Sequence, residues 1–162
     1  MSLGPRVVFM RFLDDESPKL KPWIAHVSSV VGAHALTMPS MSPSSLDGSA
    51  VWQLVSANNR ELARGVGIHA TFEEARQHAE RVVGSGAALQ IAPVSESGRG
   101  VYGWYASIDG EPVMTCSRWY VTDRDRRHSA ELAARSIATA VLLPGARLSD
   151  PTLMGGRRGA AN

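Results

Sequence analysis

Cysteine is almost missing from this chain: Cys116 stands alone among 162 residues. One thiol excludes an internal disulfide and any zinc site built on several thiolates, and it fits a reducing compartment. Lysine is nearly missing too. Only Lys19 and Lys21 occur, so the positive charge is carried by arginine, a usage that suggests a GC-rich bacterial or phage genome. Long apolar runs are also lacking. The longest, Ile137–Leu143, falls far short of the ~20 residues that span a bilayer. Met1–Arg11 holds no apolar run of signal-peptide length, and Arg11 and Asp14 close it off. A cytoplasmic protein with no membrane contact is expected.

Catalytic signatures are missing as well. No Gly-x-Ser-x-Gly elbow is present. Gly98-Arg99-Gly100 and Gly155-Gly156 are followed by no Lys-Ser/Thr, so neither is a phosphate loop. The five histidines are His26, His34, His69, His78 and His128, and none pairs with another at helical i,i+4 spacing. A metal site needs converging ligands, so structural or surface histidines are the expectation. Cys116 falls in a strand pattern, where a buried, unreactive thiol is usual. No catalytic residue, metal ligand or cofactor is assigned; the chain reads as a non-enzymatic interaction or regulatory protein, and an enzyme of unrecognised type is the further alternative.

What is there is the composition of a folding chain, 44% hydrophobic and 20% charged. Its formal net charge of +2 is unevenly spread. Up to residue 80 the acidic residues outnumber the basic ones by one; beyond it, arginines lead by three. The basic half suits an acidic partner without demanding one.

Two segments look like copies of one unit. Trp52-Gln-Leu-Val and Trp104-Tyr-Ala-Ser each open a strand pattern, followed by an Asn/Asp turn, a glutamate, a second apolar stretch, and a helix pattern opened by Thr71 or Thr122. Thr71-Phe-Glu-Glu74 is a capping box. Phe72, Ala75, Ala79, Val82 and Val83 form a helical stripe stopped by Gly84. Asp109-Gly110 is a strong hairpin dipeptide, and Pro112 predicts an edge strand or a bulge after it. The second helix pattern runs from Ser129, or from as early as Asp123, to Leu143 before Pro144-Gly145. Arg6–Leu13 reads as a strand. Trp23–Val31 reads as its returning partner, with a short helix as the rival.

Ala57-Asn58-Asn59 with Glu61, Asp109-Gly110-Glu111, and Ser117-Arg-Trp-Tyr120 carry a resemblance. Over residues 50–142 the arrangement resembles the YegP-like tandem-repeat domains, small bacterial proteins of poorly defined biochemical role. Asn59 stands where their turn has glycine, and the first copy lacks the Ser-x-x-Tyr. The resemblance implies a small antiparallel sheet with helices packed on one face, and it offers no catalytic residues.

The expectation is therefore an α+β fold: an antiparallel sheet of two hairpin-plus-helix repeats with an extra N-terminal hairpin, helices on one face. Its parts are an N-terminal hairpin (1–36), a Ser/Pro/Met-rich linker (37–49), the tandem-repeat domain (50–145) and a mobile tail (146–162). An open sheet edge, or a bare aromatic face of Trp104, Tyr105, Trp119 and Tyr120, would serve a protein partner or a second copy in a homodimer. Arg118, Arg124, Arg126, Arg127 and Arg135 would serve an acidic partner or nucleic acid. Against this, the interleaved Asp123, Asp125 and Glu131 are what a solvated helix start with local ion pairs contains.

Overall fold

A computed structural model of the chain describes residues 4–12, 18–32 and 49–148. Its elements are β1 (Arg6–Phe12), α1 (Leu20–Gly32), β2 (Ser49–Val55), β3 (Glu61–Gly65), α2 (Phe72–Val83), β4 (Leu89–Glu96), β5 (Val101–Ile108), β6 (Glu111–Cys116), α3 (Asp123–Thr139) and β7 (Val141–Leu148). The described strands form one sheet in the order β4-β5-β6-β3-β2-β1-β7. Every neighbouring pair is antiparallel except β1 and β7, which run parallel. The fold is α+β with a mixed sheet, where a wholly antiparallel one was expected.

Turn chemistry sets the hairpins. Asn59 takes a positive φ of 66° between β2 and β3, and Asp109 and Gly110 take 52° and 81° between β5 and β6. These are the conformations that Asn, Asp and Gly tolerate best. Pro112 lies at a register shift in the β5–β6 ladder. β6 therefore meets the proline with a bulge and stays inside the sheet, between β5 and β3.

Threonine caps fix α2 and α3. Thr71 Oγ1 accepts the Glu74 amide at 3.1 Å, and Thr122 Oγ1 accepts the Asp125 amide at 3.0 Å. The second helix thus starts at Asp123, the earlier of its two expected starts. It ends at Thr139, not Leu143. Ala140 is already extended, and Val141–Leu148 becomes β7 beside β1, with the kink at Pro144-Gly145 taken up where the β1 register shifts.

The N-terminal segment is a strand followed by a helix, not a hairpin. Leu20, Trp23, Val27, Val30 and Val31 are all buried, and their spacing of three and four is a helix stripe. Starting the window at Trp23 hides Leu20 and lets a strand reading survive. Of the expected linker, 37–48 lie outside the described residues, and Ser49 opens β2. Of the expected tail, 146–148 belong to β7, and the remainder lies outside the described residues.

Side-chain alternation assigns the helices to faces. On one face Phe9 meets Phe72 of α2 edge-on at 5.1 Å, and the indoles of Trp52 and Trp104 reach α2 and α3. Gln53 points the other way with its cross-strand partner Arg64, whose guanidinium lies 4.6 Å over the Trp23 ring of α1. α2 and α3 therefore share one face and α1 covers the other, where one covered face was expected. Gly65 is required by close approach: a Cβ there would lie 2.2 Å from the Trp52 indole.

Candidate functional site

The sheet and α3 enclose a polar cleft of about 860 Å³, lined by residues of the β2–β3 turn, the segment after β6 and the start of α3. Arg6 holds the turn by donating to the Ser56 carbonyl at 3.1 Å and to Asn59 Oδ1. The turn closes on itself through Ser56 N to Arg60 O at 2.9 Å. The segment after β6 is held by a reciprocal backbone pair between Tyr102 and Tyr120, 2.8 Å each way. These restraints bring Arg60, Arg118, Tyr120, Asp125, His128 and Ser129 around one space.

The cleft's electrostatics depend on which groups are already paired. Glu61 is engaged by Arg64 through two hydrogen bonds, 2.9 and 3.2 Å. Arg118 is exposed and stacks 5.2 Å over the Tyr120 ring. Neither Arg60 nor Arg118 makes an ion pair among the described residues. Asp125 is the acidic group left at the helix end of the cleft.

The five arginines singled out in the sequence do not form one surface. Arg118 faces this cleft. Arg126 and Arg127 turn to the opposite side of α3, into an apolar groove with Ile91, Pro93 and Ala134. Both are spent on Asp123, Arg127 Nε at 3.1 Å from its Oδ2. Arg124 and Arg135 are exposed along α3. The aromatic set also divides. Trp104 and Tyr105 are buried, at 0% and 8% exposure, because α3 covers one face of the sheet and α1 the other. They offer nothing to a partner. Trp119 is half-buried between the His26 ring and Arg99, and Tyr120 lines the cleft.

Two trios sit in matching places. Ala50 and His69 form a backbone bridge, as do Tyr102 and Tyr120, and each bridge lies just before a buried tryptophan. Trp104 Nε1 donates to Ser129 Oγ at 2.9 Å, and Tyr120 Oη lies 2.9 Å from the same oxygen. Trp52 Nε1 donates to His78 Nδ1 at 2.9 Å, with the His69 ring 5.0 Å from that of His78. An indole nitrogen only donates, so His78 Nδ1 is the acceptor and its proton sits on Nε2. That Nε2, and His69 Nε2, are buried with no partner among the described residues. Burial, the neighbouring His69 and Arg81 push the His78 pKa down to about 4. Burial lowers that of His69 as well, against an opposing pull from Glu74. Sequence reading left these two histidines apart. Their signal was positional: His69 and His78 stand about Thr71 as Tyr120 and Ser129 stand about Thr122.

His26 donates from Nε2 to the Cys116 carbonyl at 2.8 Å, and burial keeps its pKa below the ordinary histidine range. His34 lies outside the described residues. Cys116 is buried, and burial raises its thiol to about 11, far from a reactive thiolate. Among the described residues no three His, Cys, Asp or Glu side chains gather as metal ligands, and no helix is long and apolar enough to cross a membrane.

No family model and no curated protein matches the chain. Among solved structures, it is similar to the solution NMR structure of yegP from E. coli, a protein of unknown function. The TM-score is 0.50 at 8% identity, over 89% of this chain and 93% of that one. The fold is YegP-like. At that identity the likeness concerns backbone architecture alone, and at 89% of the chain it extends beyond residues 50–142.

Proposed function

We propose that this YegP-like chain is a non-enzymatic interaction protein built from two copies of one hairpin-plus-helix unit, and that it holds an acidic segment of a protein partner in the cleft beside Tyr120. The repeat reading is supported by the paired threonine caps, the paired tryptophans and the paired backbone bridges. The binding reading rests on one observation: Arg60 and Arg118 face a concave polar surface without an ion pair among the described residues. An unspent guanidinium there gains more from a carboxylate than one already shared with Asp123.

Two other expectations carry less weight. The aromatic face is mostly interior. Nucleic acid would need a run of free cations along the strand, and Arg126 and Arg127 do not join Arg118 in one surface. Self-association through an edge is opposed by proline in both edge strands, Pro93 in β4 and Pro144 in β7.

The test is fluorescence anisotropy of a labelled, C-terminally amidated Asp/Glu-rich peptide at low salt. Binding should weaken by on the order of tenfold in Arg118→Ala and in Arg60→Ala, and should fall with added salt. Absence of binding, or binding indifferent to both substitutions, overturns the reading. A labelled oligonucleotide bound more tightly than the peptide would also overturn it.

A further inference from the structure

We infer that Tyr120 and Ser129 act as one hydrogen-bond donor that selects a carboxylate beside Arg118, making them the specificity-determining pair of the cleft; this rests on the cleft being the partner site. Proton counting leads there. Trp104 is fully buried and its indole N–H can only donate, so Ser129 Oγ commits one lone pair to it. The Ser129 and Tyr120 oxygens are 2.9 Å apart, so one of the two hydroxyls donates to the other. The pair owns two protons and uses one internally. Whichever direction is taken, one O–H is left over, and it has no acceptor among the described residues. Both side chains line the cleft.

The pair shares its cleft with Arg118, whose guanidinium lies over the Tyr120 ring. A charged donor and a neutral donor side by side fit a ligand oxygen that carries negative charge and accepts more than one hydrogen bond. A carboxylate meets both conditions. A lysine or arginine of a partner meets neither. Asp125, one helical turn before Ser129 on α3 and lining the same cleft, keeps the whole space from being a general anion sink. Acidic side chains of a partner segment are therefore the occupant.

The two residues are redundant as donors, which gives the test its signature. In Tyr120→Phe the Ser129 hydroxyl is freed for the ligand; in Ser129→Ala the Tyr120 hydroxyl is. Each single variant should bind the amidated acidic peptide within a few-fold of the parent chain, whereas the double variant should lose on the order of tenfold or more. Far-UV circular dichroism and the Trp104 indole N–H resonance check that each variant folds, because Ser129→Ala strips that indole of its acceptor. Equal binding by the double variant and the parent, while Arg118→Ala still weakens it, overturns the donor pair and leaves the cleft reading standing. Loss in either single variant as large as in the double also overturns it. Inorganic phosphate competing more strongly than acetate would replace the carboxylate assignment with a phosphate one.

Discussion

Protonation at a single ring decides how firmly α2 is held to the sheet. His78 Nδ1 serves the Trp52 indole only while it is unprotonated. A proton there turns the acceptor into a donor and leaves a buried N–H without a partner, beside the second buried ring of His69. The unfolded histidine titrates near its ordinary value and the folded one at about 4, so acid favours the unfolded chain. The stabilisation is complete above the ordinary histidine range and is lost as pH falls through that range toward about 4. The shift corresponds to about 3 kcal/mol at most. Urea unfolding at neutral and at mildly acid pH should show this loss, and His78→Asn, which offers an amide oxygen to Trp52 but does not titrate, should remove most of it. An unchanged pH slope in that variant would assign the acid sensitivity elsewhere. The contact itself was not legible in the sequence, because His69 of the β3–α2 connection meets His78 of α2 only once that connection is bridged to Ala50.

Among the elements, the legible ones carried strong local chemistry. The Thr71 capping box, the Asp109-Gly110 turn and the Trp-led strands stand where spacing placed them, because caps and turns are settled within a few residues. The illegible ones were decided by distant partners. β7 reads as the end of a helix until β1 supplies its ladder. α1 reads as a strand until Leu20 is added to its stripe. The edge strand β4 makes its own prediction. Trp104 turns its N–H toward Cys116 Sγ of β6 at 3.4 Å, and its cross-strand partner is Pro93. An antiparallel residue sends N–H and C=O to the same side. Pro93 therefore turns its nitrogen to the open edge, where it has no hydrogen to offer. Pro93→Val restores that donor and straightens an apolar edge. Light scattering should then show concentration-dependent association stronger than in the parent chain; equal masses would mean that the proline is not what keeps β4 unpaired.

For the molecule as a whole, the two expected hairpin-plus-helix segments supply the strands and helices from β2 to α3. Residues 50–142 hold the segments that resemble each other, yet the sheet is completed by β1 and β7 from outside that stretch. The cleft was half legible. Arg118 and Tyr120 stood out as an Arg–aromatic pair, whereas Asn58 was read only as a turn residue and Arg60 carried no reading, and their convergence depends on β3 lying against β6. Deleting residues 141–162 tests the closure of the sheet. The shortened chain should self-associate in light scattering, because β1 would present a row of unpaired backbone groups. A monomer of unchanged stability would show that the β1–β7 pairing is dispensable.

The placement of β1 between β2 and β7 has a consequence for synthesis. A ribosome delivers this strand well before its β7 neighbour, with about 135 residues separating Arg6 from Val141. During that interval one flank of β1 lacks its β7 partner, so a nascent chain carries a temporary adhesive stripe that closes only when β7 emerges.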